Sequence, residues 1–117
     1  MYEYKAKVID IYDADTCTLL IDVGFKIYLK EQVRLIGLDC PELRTKNKKE
    51  KELGYEARDY LRNILLGKDV IIQTEKEGKW GRYLVKIKYN DLNINQHLID
   101  KGYAVEYDGG KRLPWIL

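Results

Sequence analysis

A chain of 117 residues, 45% hydrophobic and 34% charged, is long enough for one domain with a single core and too apolar to stay disordered. No apolar run approaches the roughly 20 residues of a membrane-spanning helix, so no membrane role is expected. The net charge of +2 gives no global field for drawing in a polyanion.

The opening Met1-Tyr2-Glu3-Tyr4-Lys5 lacks the apolar core of a signal peptide. As written, the chain reads as cytoplasmic. A chain trimmed of its leader would read the same way and would be secreted. Lys5 to Tyr12 is rich in β-branched and aromatic residues and is expected to form a strand. Asp13-Ala14-Asp15 interrupts it. Thr16 to Val23 reads as a second strand and Gly24 as a turn. Lys26 to Ile36 reads as a third strand, long and bent, which breaks at Gly37.

Leu43 to Leu53 is polar and lysine-rich, shows no periodicity, and is expected to be a loop. Its charge is uneven: from Arg44 to Glu52 there are five basic residues against two acidic ones. Such a run is commonly a solvated loop, but its place directly after an acidic turn also suits phosphate steering. Ala57, Tyr60, Leu61, Ile64 and Leu65 then recur at i, i+3, i+4, i+7 and i+8, an apolar helical stripe. Gly67 is placed to stop that helix. Asp69 to Thr74 is a fourth strand, Glu75 to Gly81 a polar link, and Arg82 to Tyr89 a fifth strand. Asn90-Asp91 signals a turn, and Asn95 to Lys101 a short helix ending at Gly102. The tail from Lys111 to Leu117 is too short for an element of its own.

The order β-β-β-α-β-β-α defines a mostly β chain with helices, an α+β class. It matches the five-stranded OB-fold barrel, which commonly binds oligonucleotides. Fold does not give function; particular residues must. Two cysteines, Cys17 and Cys40, and one histidine, His97, offer neither a disulfide framework nor zinc-ligand spacing. Cys17 reads as a small core residue and His97 as a surface one. With histidine nearly absent, a general base would be a carboxylate.

Three stretches carry candidate chemistry. Asp13-Ala14-Asp15-Thr16 opens like an EF-hand loop. That reading fails, because positions five, six and twelve are Cys17, Thr18 and Gly24. A tight turn accounts for Asp13 but not for a second acid, Asp15, leading into a strand. In Arg34-Leu35-Ile36-Gly37-Leu38-Asp39-Cys40-Pro41-Glu42, Pro41 stiffens the turn and pushes Cys40 to an extended conformation. Acids three apart with an arginine upstream suit a divalent cation beside a phosphate, although a charged turn after a core strand would read alike. Gly78-Lys79-Trp80-Gly81-Arg82 reads either as a surface hairpin or as a stacking and phosphate platform.

Asp13-Ala14-Asp15-Thr16, Arg34 through Glu42, Trp80-Gly81-Arg82, Asn95 and Gly102-Tyr103-Ala104 come in order. In this the chain resembles the staphylococcal nuclease-like (thermonuclease) family from about Ala6 to Arg112. The resemblance implies a single OB-fold domain spanning residues 1–117. It implies a monomeric, Ca²⁺-dependent endonuclease acting on single-stranded or locally melted DNA and RNA with little sequence preference, cutting the P–O5′ bond to leave 3′-phosphates. It implies that Asp15 and Asp39 bind Ca²⁺, with the backbone carbonyl of Cys40, and that Asp13 stands behind them. Glu42 would activate the water, and Arg34 and Arg82 would grip the phosphate. Lys79, Trp80 and Tyr107 would form the nucleotide pocket, with Lys48 and Lys49 contacting the substrate. The chain departs from the pattern in its tail, where members often carry a C-terminal helix; here that helix is expected to be missing or truncated. The alternative is a non-catalytic OB module binding single strands or a protein; degenerate domains of that kind usually lose the acids or arginines kept here.

Overall fold

The computed structural model describes residues 2–77 and 82–107. Strands β1 (Tyr2–Asp13), β2 (Thr16–Asp22), β3 (Tyr28–Leu35) and the short β4 (Leu38–Asp39) precede helix α1 (Lys48–Leu65). Strands β5 (Asp69–Glu77), β6 (Tyr83–Tyr89) and β7 (Leu92–Asn93) follow, then helix α2 (Ile94–Asp100) and strand β8 (Val105–Glu106). The sheet runs β3-β2-β1-β5-β6-β7, and a parallel β3–β6 pairing closes it. The five long strands therefore form the closed barrel of an OB-fold, with two helices, as the order of elements leads one to expect. No helix among the described residues is long and apolar enough to cross a membrane.

Alternation along the strands fills the barrel with Val8, Ile11, Leu19, Val33, Leu35, Ile72, Val85 and Ile87. Helix α1 covers one end with Ala57, Leu61 and Leu65, and α2 adds Ile94 and Leu98. Cys17 is fully buried, the core residue expected of it.

The structure corrects several boundaries. The third strand starts at Tyr28, not Lys26, because Gly24, Phe25 and Lys26 all take positive φ and turn the hairpin. The stretch expected to be a loop up to Leu53 becomes helix at Lys48. Asn47 caps that helix, its side-chain oxygen accepting from the amides of Lys49 at 3.1 Å and Glu50 at 3.2 Å. The fourth strand continues to Glu77. Asn90 and Asp91 both take positive φ, the two-residue hairpin turn their chemistry favours, joining β6 to the short β7. His97 is not simply a surface residue: it is half-buried, with Nε2 2.6 Å from the Tyr60 hydroxyl. The expectations placed on residues 78–81 and 111–117 lie outside the described residues.

Candidate active site

Arg34 sits near the end of β3, paired across the ladder with Thr16 at the start of β2. The amide of Leu35 donates to the Asp15 carbonyl at 2.9 Å, locking the two strands at this point. From there Arg34 Nη2 lies 3.6 Å from Asp15 Oδ2 and 3.5 Å from Asp39 Oδ1. Two acids 24 positions apart in the chain thus flank one guanidinium. Both are buried, Asp15 with 7% and Asp39 with 5% of its surface exposed. Charged carboxylates are almost never this buried without a partner.

Asp15 is short of positive charge even so. Its pKa is pushed from 3.8 up to about 7, first by burial, then by the hydrogen bond and charge of Asp13; Arg34 and the Thr16 hydroxyl pull the other way. Asp13 also accepts from the Asp15 amide at 3.1 Å, which fixes the turn. Its place is thus beside Asp15, touching its backbone.

Asp39 ends the two-residue β4, which pairs with β8 so that Asp39 faces Val105. The next residue after β8, Tyr107, donates its amide to the Gly37 carbonyl at 3.0 Å, and Gly37 needs its positive φ of 86° to break the strand there. The same connection sets the centre of the Tyr107 ring 5.9 Å from Arg34 Cζ. Asn95 on α2 braces the chain before Gly37. Its amide nitrogen donates to the carbonyls of Ile36 at 2.9 Å and Val85 at 3.1 Å, and its oxygen accepts from the Ile87 amide at 3.1 Å.

After Asp39 come Cys40 and Pro41, both buried, and then Glu42, whose side chain reaches solvent. Helix α1 clamps this turn. The Glu42 amide donates to Glu50 Oε2 at 2.9 Å. One turn on, Gly54 presses the turn so closely that an added Cβ would lie 2.8 Å from the Pro41 carbonyl oxygen and 3.0 Å from that of Glu42. Sequence reasoning missed Glu50 and Gly54; the signal available was an acid and a glycine spaced i, i+4 ahead of the apolar stripe. The Cys40 thiol is held well above its usual range by burial and then by Asp15, Asp13 and Asp39, so it stays protonated and is no nucleophile.

Arg82, half-buried, immediately precedes β6, whose parallel register sets Tyr83 beside Val33 and Leu84 beside Arg34. Barrel closure thereby sets Arg82, one residue before β6, beside the strand that carries Arg34. Lys48 and Lys49 are exposed on the first turn of α1. Lys79 and Trp80 lie outside the described residues. Among the described residues, no group of three or more acids, histidines or cysteines converges as a ready-made metal cage.

Comparison with known proteins identifies the family. The model for the staphylococcal nuclease homologue family matches residues 32–112, a span that includes Arg34, Asp39, Glu42 and Arg82. A protein of Bacillus anthracis is 38% identical over 86% of this chain and 46% of its own length. An uncharacterized protein of Methanocaldococcus jannaschii is 31% identical over 89% of this chain and 59% of its own. The thermonuclease of Staphylococcus hyicus is 30% identical over 87% of this chain and 59% of its own. The chain belongs to the staphylococcal nuclease-like family, and it spans about half the length of the curated relatives it matches.

Proposed function

We propose that this chain is a nuclease that hydrolyses phosphodiester bonds of single-stranded or locally melted DNA and RNA in a Ca²⁺-dependent reaction. The observation that carries the proposal is Arg34 held between two buried carboxylates, with Glu42 on a clamped turn three residues beyond one of them. Names among the relatives point the same way: the Staphylococcus hyicus protein is a thermonuclease, and one of Schizosaccharomyces pombe is a probable endonuclease.

The donor set fits Ca²⁺. Asp15 and Asp39 offer hard oxygens, the Cys40 carbonyl can supply a third, and a cation needing six to eight oxygens would fill the rest with water and a phosphate oxygen. Burial and the neighbouring Asp13 raise the Asp15 pKa, so a cation bound there would favour its charged form. When bound, the cation would neutralise phosphate charge and lower the pKa of nearby water. The protein's own residues do the rest. Arg34, through donors not engaged by the acids, and Arg82, just before the adjacent strand, offer planar paired donors to the equatorial oxygens of the reacting phosphate. Glu42 takes the proton from the attacking water, whose oxygen bonds to phosphorus as the P–O5′ bond breaks; the departing 5′ oxygen takes a proton from solvent water, giving a 5′-hydroxyl and a 3′-phosphate. Asp13 holds Asp15, and Tyr107 packs beside Arg34 on the nucleotide side. Lys79, Trp80, Lys48 and Lys49 complete the substrate contacts in this proposal.

The test is release of acid-soluble nucleotides from heat-denatured DNA with Ca²⁺, with Mg²⁺ and with chelator. Digestion is expected with Ca²⁺ and little with Mg²⁺, which demands a tighter octahedral shell. Equal digestion with both cations at matched occupancy would refute the metal assignment, and no digestion at all would refute the nuclease.

A further inference from the structure

A second feature lies next to the acids, between α1 and the end of β1. It is a groove of about 420 Å³ whose walls include Tyr12, Arg44, Lys51, Tyr55, Arg58 and Arg62. Four of these are cations and two are exposed tyrosines; no acid is among the described residues that line it. Lys51, Tyr55, Arg58 and Arg62 fall at i, i+4, i+7 and i+11 of α1, one face of the helix, adjacent to the face that clamps the Glu42 turn.

The groove is built, not incidental. Arg62 donates through Nε at 3.0 Å and Nη2 at 2.8 Å to the Ile11 carbonyl, tying the helix to β1 while keeping its charge. Arg58 Cζ lies over the Tyr55 ring, 4.5 Å from its centre, so each holds the other in place. Arg58 also meets Asp59 at 2.9 Å, but that carboxylate is 62% exposed, so solvent screens the pairing.

Its ends locate it. Tyr12 directly precedes Asp13, and Leu43, also in the lining, directly follows Glu42. Two of its lining residues are thus chain neighbours of the two acidic turns. Flat aromatic and guanidinium surfaces beside lysine and arginine are what a single strand of nucleic acid uses, with bases stacked and phosphates neutralised.

We infer that this groove is an extended binding site for the polynucleotide strand flanking the scissile phosphate, with Tyr12 and Tyr55 stacking bases and Arg44, Lys51, Arg58 and Arg62 meeting phosphates. The inference rests on the nuclease reading for its place in the reaction, but not for its ligand. It divides the basic run after the acidic turn: Arg44 and Lys51 face the groove, while Lys48 and Lys49 are not part of its lining.

The test compares a dinucleotide with a single strand of about 20 nucleotides, longer than one OB-fold site. The double substitution Tyr55→Ala with Arg58→Gln should raise KM for the long substrate at least about fivefold, the low end for one lost stack, and leave dinucleotide kcat and KM within about twofold. The salt dependence of the long substrate should flatten by about 0.7 per lost phosphate contact. Tyr55→Phe with Arg58→Lys should restore most of the affinity. If the first pair fails to fold, Tyr12→Ser with Arg44→Gln on the opposite wall should show the same length-dependent loss. An unchanged long-substrate KM and salt slope in a folded variant overturns the groove. If the parent cleaves nothing, the nuclease reading fails by itself. Fluorescence anisotropy of the labelled strand in chelator then decides the groove: weaker binding by the variants supports it and equal binding overturns it.

Discussion

Arg34 is the residue on which the two acidic turns meet. Its guanidinium bridges Asp15 and Asp39 while a third of its side chain stays open to solvent, so it can present donors to a phosphate without leaving its place. A lysine there keeps the charge and loses the planar fork. Arg34→Lys and Arg82→Lys should each slow single-turnover cleavage by about 10²–10³, the usual loss for one donor aimed at developing charge. Arg34→Lys should also lower the denaturant midpoint, because the shorter lysine reaches the two buried carboxylates less well; Arg82→Lys should leave stability within about 0.5 kcal/mol. Cleavage at the parental rate by either variant would remove that arginine from the transition state. Asp15 makes a second prediction, in pH. The unfolded chain releases this proton near 3.8 and the folded chain holds it to about 7. Over that window the folded state binds the extra proton, so this carboxyl's stabilising contribution is full below the window and is lost as pH rises through it. In chelator, Asp15→Asn should therefore gain stability over the parent as pH rises from about 4 to about 7, with no further change above. Cation affinity of the parent should rise with pH over the same window, since the cation displaces the proton. A pH-independent difference between the two proteins would show that Asp15 is ionised throughout.

At the scale of elements, the decisive contact is α1 against the Pro41–Leu43 turn. Glu50 and Gly54 set where Glu42 stands without touching a substrate. Glu50→Ala should lower kcat by roughly 10–10²-fold with KM little changed, the scale of a small misplacement at a reacting centre. Glu50→Gln, which keeps an acceptor for the Glu42 amide, should recover most of it. Gly54→Ala should destabilise by about 1–3 kcal/mol, because the new Cβ meets the Pro41 and Glu42 carbonyl oxygens as well as the Leu43 side chain. Parental stability and activity in the Gly54→Ala variant would mean the helix is free to slide. This clamp is also where the sequence was least legible. Residues 48–53 carry no apolar stripe, since their inward-facing positions go to an acid and to the glycine that follows, so hydrophobic periodicity cannot register them as helix. The β4–β8 ladder is two residues on each side, below any detectable alternation. The Tyr60–His97 contact joins residues 37 apart, which no local pattern encodes. By contrast, the five long strands, the apolar half of α1 and the turn at Gly37 follow from alternation, a 3.6-residue stripe and a glycine that takes positive φ.

For the whole molecule, closing the barrel is what assembles the site. The parallel β3–β6 pairing brings Arg82 alongside the strand of Arg34, and Asn95 holds the junction by bonding three backbone groups there. The acids and arginines are legible in the sequence because each sits in a local motif; their convergence is a property of closure. The net charge of +2 then finds its use locally, as cations gathered beside an acidic centre. In the proposed reaction this centre cleaves phosphodiesters with Glu42 as the base and Asp15 and Asp39 as the cation ligands. Glu42→Gln tests it most directly, with Ca²⁺ binding measured by calorimetry beside single-turnover cleavage at saturating Ca²⁺. Binding should stay within a few-fold of the parent while the cleavage rate falls by about 10² or more, the range for a positioned base. Cleavage at the parental rate, or loss of Ca²⁺ binding in this variant, would contradict it.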